Sequence, residues 1–479
     1  MRHYRLVGVS WLIAAFLPTC ASAVTVTVLG DTGPGNCTTT CSLRDAIATT
    51  ASGGTVDFAP AILPGTITLT QGELVIDKSL TIAGPGATQL AISANYVSRV
   101  LTVSAGTVSI DGVSLRNGTV SGGNGSSGSS DPSSAGGPGG GGIPAFGGCV
   151  MVAAAASLVL ERADIRNCVT KGGNGGKGGN GAGGFPVGFP GGAGGSGASG
   201  LGGGIYAAGP LALLDSSLIN TVANGGDGGL GGDGGSAGGA TGAGANGGNG
   251  GAADGGSIYM AAGGSLLATN VTIVGSVVIS GRGGNGGVGG LATSGGNGGG
   301  GASAAGGLID VAASVTPADL EFSTLASGSV SAGLGGYGGS GHPNGVTGPS
   351  GTSQGNAIFA TSTLTSLSSI VVIGVGSAPL CSGNIAAAAG SVNVDQDLTC
   401  TGFTLHGTFA QLFRPLDLAT PWPAYMPVYK SVITDAAAAC NDLTAQPVTS
   451  DQHGTPRPQG SQCDLGAIEA DYIFVDGFE

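Results

Sequence analysis

Short apolar stretches recur along the chain with polar residues between them at every second place. VSIDGVSLRNGTV at 108–120, LVLERADIRNCVT at 158–170 and LALLDSSLINTVA at 211–223 align without a gap. The apolar places are Val108, Ile110, Val113 and Leu115, then Leu158, Leu160, Ala163 and Ile165, then Leu211, Leu213 and Leu218, with Ser216 breaking the last set. A period of two belongs to a half-buried strand, so each phrase predicts two short strands with a bend between them. Residues 266–276 and 318–328 continue the pattern less cleanly.

A second phrase sets the repeat. GGCVM at 147–151, GGGIY at 202–206, GGSIY at 255–259, GGLID at 306–310 and GNAIF at 355–359 place Val150, Ile205, Ile258, Ile309 and Ile358 at intervals of 55, 53, 51 and 49 residues. Self-similarity of this size means one structural unit stacked on copies of itself. Each unit carries a glycine-rich insert, at about 122–147, 172–203, 225–256, 283–307 and 333–355. Without it, roughly 20–25 residues remain, the length of one β-solenoid turn. Inserts at one place in successive units must leave from one corner. Their triplets, as in GGNGGKGGN at 172–180, fit either flexible linker-like loops or extended three-residue helices packed side by side. The ordered bundle is favoured, because five similar inserts lie adjacent and hold few bulky residues. Asn117, Asn167 and Asn220 follow the second strand at one register and predict a short internal asparagine ladder at a corner.

Composition narrows the functional classes. Of 479 residues 102 are glycine, yet no strict collagen period is present. The net charge of −13, with no Lys/Arg cluster, argues against nucleic acid and anionic lipid as partners. Residues 1–23 have the form of a secretory signal peptide: Arg2 and Arg5, an apolar run at 6–17, and Ala21-Ser22-Ala23. The run is too short for a membrane anchor, and Thr19 before Cys20 disfavours a lipoprotein. No later segment is long enough to span a membrane. Removing Cys20 leaves eight cysteines, and the simplest pairing is Cys37/Cys41, Cys149/Cys168, Cys381/Cys400 and Cys440/Cys463. Scattered histidines (His3, His342, His406, His453) and the lack of a CxxC pair disfavour zinc.

Both ends carry recognisable text. Cys41-Ser42-Leu43-Arg44-Asp45-Ala46-Ile47, followed by Gly53-Gly54-Thr55-Val56, resembles the opening of the CSLREA-type bacterial secreted proteins, with Asp45 where that motif has Glu. Asp451-Gln452-His453-Gly454, Arg457-Pro458 and Cys463-Asp464-Leu465-Gly466-Ala467-Ile468-Glu469 is similar to the closing segment of the choice-of-anchor Q group, with His453 in place of Arg. The last residues, Ile473-Phe474-Val475-Asp476-Gly477-Phe478-Glu479, resemble a short tail of some Gram-negative exported proteins. The resemblance covers only the ends. It implies a right-handed parallel β-helix, export and surface association, and brings no catalytic residues.

A β-helix also serves polysaccharide lyases and hydrolases, so the polar constellations of this chain bear on its function. Arg116 and Arg166 stack in the alignment with Asp111, Glu161 and Asp164 nearby, which is either a lyase-like site or a solvated sheet face, the second being favoured. Gly351-Thr352-Ser353-Gln354-Gly355 matches GxSxG without the helix a nucleophile elbow needs. Asp227 and Asp233 lack the aliphatic of the calcium nonapeptide, and Asp227, Asp233 and Asp254 read either as weak calcium ligands or as solvated loop carboxylates, the second being favoured. Tyr206, Tyr259 and Phe359 share one place in the repeat, interrupted by Met151 and Asp310; they either stack on sugar rings or cover the corner where the insert departs.

The expected architecture is an all-β, right-handed parallel β-helix with glycine-rich inserts at one corner. Its parts are the signal peptide (1–23), an N-terminal cap and first coils (24–98), repeats with inserts (99–410), a disulfide-tied C-terminal cap or anchor segment (411–470, its start marked by Pro415, Pro421, Pro423 and Pro427) and a short tail (471–479). No catalytic, cofactor-binding or metal residue is assigned, and no cofactor is expected. The expected function is an exported, non-enzymatic surface protein of a Gram-negative bacterium with an adhesive or structural role. The alternatives are a polysaccharide lyase or hydrolase and a non-catalytic carbohydrate-binding protein, with surface glycans as the partner class.

Overall fold

Alternating strands with one apolar face must bury that face, and here they do so by winding into a tube. The structure, a computed structural model, describes residues 23–470 except 34, 186, 237–240, 291, 376, 417–422 and 429. Residues 1–22 of the expected signal peptide (1–23) and the expected tail 471–479 lie outside the described residues.

Each full coil runs through four short strands, and every strand pairs in parallel with its counterparts in the neighbouring coils. The first ladder stacks Leu101–Val103, Val150–Val152, Ile205–Ala207, Ile258–Met260, Ile309–Val311 and the start of Ile358–Leu367. The second stacks Gly106–Asp111, Ala156–Glu161, Leu211–Leu214, Leu266–Thr269 and Ala318–Glu321. The third holds Ser114–Arg116, Asp164–Arg166, Ser217–Ile219 and Thr272–Val274, and the fourth Thr119–Ser121, Val169–Lys171, Val222–Asn224 and Val277–Ile279. A fifth, bridging ladder of two-residue strands receives the returning inserts at Ala145–Phe146, Gly200–Leu201, Ala253–Asp254, Ala304–Ala305 and Ser353–Gln354. This is a parallel β-helix, and the strand registers match the alignment of the repeats residue for residue. Inward aliphatics such as Val150, Ile205, Ile258, Ile309 and Ile358 stack at zero exposure in one continuous core.

Three corners of the coil are turned by left-handed residues in vertical rows. Between the second and third ladders stand Gly112, Arg162, Asp215, Asn270, Phe322 and Ser368; after the third stand Asn117, Asn167, Asn220, Gly275 and Ser327; after the bridging ladder stand Gly147, Gly202, Gly255, Gly306 and Gly355, all at positive φ. A side chain at the last row is excluded sterically as well, since a Cβ at Gly202 would enter the carbonyl oxygen of Ile205. The asparagine row adopts the geometry read from the sequence, and Asn167 Nδ2 donates to Asn117 Oδ1 at 3.4 Å. It is not internal, however: Asn117 and Asn167 are half-buried and Asn220 is exposed, because a left-handed corner turns its side chain outward.

The glycine inserts form an ordered bundle, not loops. Every insert runs out as one extended rod and back as another, giving two layers of five rods. At one level the hydrogen bonds zigzag between layers: Gly176 N donates to Gly140 O, Gly195 to Gly176, Gly229 to Gly195, Gly248 to Gly229, Gly284 to Gly248, Gly299 to Gly284, Gly336 to Gly299 and Gly348 to Gly336. Two further zigzags lie one rod-turn above and below, as three-residue periodicity requires. A methyl group at Gly176 would overlap the carbonyl oxygen of Ser126, and one at Gly229 that of Gly176. Only glycine lets the backbones approach this closely. The third residue of each triplet faces out, and its side chain often caps the next rod: Asn174 Oδ1 accepts from Asp227 N at 2.9 Å, and Asp227 Oδ1 from Arg282 N at 2.8 Å.

At both ends of the chain, the text that resembles known secreted proteins packs against the coils. Ser42 caps the helix Leu43–Thr49, whose Leu43, Ala46 and Ile47 are buried. Arg44 pairs with Asp31 at 2.8 Å and donates to the carbonyls of Gly72 and Glu73. At the other end, residues 433–470 lie along the flank of the last coils, with Ile433, Cys463 and Leu465 packed on Ile219, Val274, Ala326 and Ile370. Asp451 accepts from the backbone N–H groups of His453, Thr455 and Glu469, so the loop is tied to the segment that follows it. Arg457 makes a fully buried pair with Glu469 at 2.9 Å and lies 4.8 Å over the ring of Phe322. All four expected disulfides are present, which places the folded chain in an oxidising compartment. Among the described residues no helix is long and apolar enough to cross a membrane.

Candidate functional site

Outward residues of the first ladder follow one another coil by coil as Thr102, Met151, Tyr206, Tyr259, Asp310 and Phe359. Because the left-handed glycines fold the bridging ladder sharply against this one, its outward row of Phe146, Leu201, Asp254, Ala305 and Gln354 faces the same concave corner. The rings of Phe146 and Tyr206 meet across it with centroids 4.9 Å apart. Those of Tyr206 and Tyr259 stack at 5.6 Å and 7°. At the N-terminal end Arg99 pairs with Glu73 and donates to the carbonyls of Phe146 and Gly147.

Two carboxyls enter this aromatic corner. Asp310 stands between Tyr259 and Phe359, is only 4% exposed, and makes no hydrogen bond among the described residues. Burial holds its carboxyl well above the ordinary range, and the neighbouring charge of Asp254 adds to the rise. Asp254, on the bridging strand, is pushed by burial up to about 7. The same burial, with Asp310 and Asp254 nearby, raises the hydroxyl of Tyr259. The corner therefore offers flat rings and carboxyls that keep their protons at mildly acidic pH. It can stack on an apolar ring face and give hydrogen bonds to oxygen.

The arginine patch is brought together differently. Arg116 and Arg166 are paired in the third ladder, as aligned. Asp111 and Glu161 are both taken by Arg162 at the bend. Asp164 is buried and held by Arg166, by Ser114 at 2.9 Å and by Ser217 at 3.1 Å. Arg162 was not singled out from the sequence; its place in the left-handed corner row is the signal that marks it. Asp227 and Asp233 accept backbone N–H groups within the bundle, whereas Asp254 lies apart from them on the bridging strand. Ser353 accepts from Ala332 N at 3.0 Å in the bridging ladder. Among the described residues no three His, Cys, Asp or Glu side chains gather where a metal could sit. A separate cleft of about 520 Å³ under the C-terminal segment is lined by Glu161, Asp215, Asp319, Glu321 and Asp442. There burial raises Asp215 to about 6.

No protein-family profile matches the chain, and no curated protein matches it. Among solved structures it is similar to a crystal structure of the pectate lyase Pel9A at 11% identity and a TM-score of 0.30, over 94% of this chain and 97% of that one.

Proposed function

We propose that the protein is an exported, non-enzymatic surface protein of a Gram-negative bacterium with an adhesive or structural role. The glycine bundle carries this reading. Five inserts hold ten rods in register, and the coils bury their own core without them. What the bundle adds is a flat, rigid outer face of third-position side chains in rows. Among them Leu230, Val288, Leu334 and Tyr337 are 47%, 48%, 58% and 72% exposed beside Lys177, Arg282, Asp227 and Asp233. Large apolar side chains held out on a rigid face are a feature of contact surfaces. The test is attachment of cells or protein-coated beads when all four become serine. Attachment should fall while the fold persists, and unchanged attachment would remove the bundle face from the reading.

A second reading, non-catalytic carbohydrate binding, is favoured by the parallel Tyr206–Tyr259 stack at the corner. It is tested by retention on a polysaccharide panel, with product release scored beside it. Turnover would move the protein to the enzyme alternative.

A further inference from the structure

The adhesive reading leaves Asp310 without a role. A strand residue flanked by Ile309 and Val311, both at zero exposure in the core, must face outward, and this one faces the aromatic corner. Its neighbours are Tyr259 and Phe359 along the ladder and the turn glycine Gly306, whose added Cβ would press on its own Cβ. Among the described residues its carboxyl has no hydrogen-bond partner, and it keeps only a sliver of contact with solvent. Such a residue in a structural face would be expected to have a partner, or to be aromatic like Tyr259 and Phe359 on either side of it. An incoming group that accepts a hydrogen bond would satisfy it.

We propose that the corner between the first and bridging ladders is a subsite for an uncharged polysaccharide, with Tyr206 and Tyr259 stacking on pyranose faces and Asp310 giving a hydrogen bond to a sugar oxygen. The inference rests on the carbohydrate-binding reading and adds to it the residue that selects the ligand class. Pyranose rings present apolar C–H faces to aromatic rings and hydroxyl oxygens at their edges, and the corner offers both complements at once. The charged and titratable groups that face Asp310 are Asp254 on the bridging strand and Tyr259 on the preceding coil; Phe359 on the following coil carries no charge. Arg99, at the far end, is already engaged by Glu73. An anionic polysaccharide would meet Asp254 as a like charge once it ionises. Both carboxyls are raised, so the Asp310 donor is present at low pH and is lost as the pH climbs through its raised range; Asp254, ionising at about 7, adds a like charge that delays that loss.

The experiment is affinity electrophoresis of the mature chain, four disulfides intact, at pH 5.5 and pH 8.5. The probes are hydroxyethyl cellulose, galactomannan and dextran as neutral polymers, polygalacturonate as the anionic one and chitosan oligomers as the cationic one. At least one neutral probe should retard the protein, more at pH 5.5 than at pH 8.5. Asp310→Ala should weaken that binding ~tenfold at pH 5.5. Asp310→Asn, whose amide still donates, should stay within ~threefold of the parent and lose the pH dependence. Retardation abolished by the Tyr206→Ala/Tyr259→Ala pair but untouched in Asp310→Ala would overturn the role of Asp310 while leaving carbohydrate binding in place. Retention by polygalacturonate or chitosan alone would overturn the ligand class. No retention by any probe would sink both this inference and the reading beneath it. Thermal melts of each variant separate a lost contact from a lost fold.

Discussion

The coils and the glycine bundle are built from the same backbone repeat by opposite means. In the coils, side chains do the work: Leu158, Leu160, Ile165 and their stacked equivalents leave water, and the ladders satisfy the backbone groups carried inside with them. In the bundle side chains are excluded, and hydrogen bonds between rods join backbones too close for a Cβ. One region is stabilised by burying apolar area. The other depends on many individually modest hydrogen bonds, each worth about 1 kcal/mol net. The difference teaches that glycine-rich sequence is flexible only when nothing lies alongside it. Five copies held at the spacing of neighbouring coils become a lattice.

Each of four perturbations, set beside one control, presses on that contrast. The largest effect is expected in the coil core, where Leu160→Ala leaves a void at a fully buried site and should cost about 2–5 kcal/mol in global stability. Urea unfolding checks it, and a loss below 1 kcal/mol would mean the coils are not held by packing. Removing the Cys149–Cys168 disulfide, 19 residues apart, as a double alanine variant should cost about 3 kcal/mol in the same assay. In the bundle, Gly176→Val inserts a side chain where none fits and should cost about 1–3 kcal/mol. That loss should appear as faster amide exchange in the rods while the coil amides stay protected, and equal loosening of both regions would break the comparison. The smallest effect sharpens it: Asn174→Ala removes the acceptor of Asp227 N and should cost about 0.5–1.5 kcal/mol. The exposed Lys177→Ala one rod-turn further along should stay within about 0.5 kcal/mol.

Much of this was legible in the chain because the determinants are local or strictly repeated. The alternation at 158–170 predicted two strands and a bend, and the structure has Ala156–Glu161, a left-handed Arg162 and Asp164–Arg166. The four disulfides join cysteines close in sequence, and the asparagine corner and the stacking of Tyr206 on Tyr259 follow from register alone. The candidate site was only half legible. Asp310 looked like a break in an aromatic row, and Asp254 like a loop carboxylate, because nothing local says that a bridging strand will fold back on the first ladder.

The sequence by itself therefore determined the period, the inward aliphatic rows and the corner asparagines. These are properties of one unit, and stacking merely repeats them. The tertiary structure alone decided which carboxyl pairs with which arginine, that Arg162 takes Asp111 and Glu161 from adjacent coils, and that residues 433–470 fold along the flank. It also decided that Asp310 is left nearly buried between aromatic rings, with no hydrogen-bond partner among the described residues. Those outcomes depend on distances between residues of different coils, strands and segments, which the order of residues along the chain does not contain.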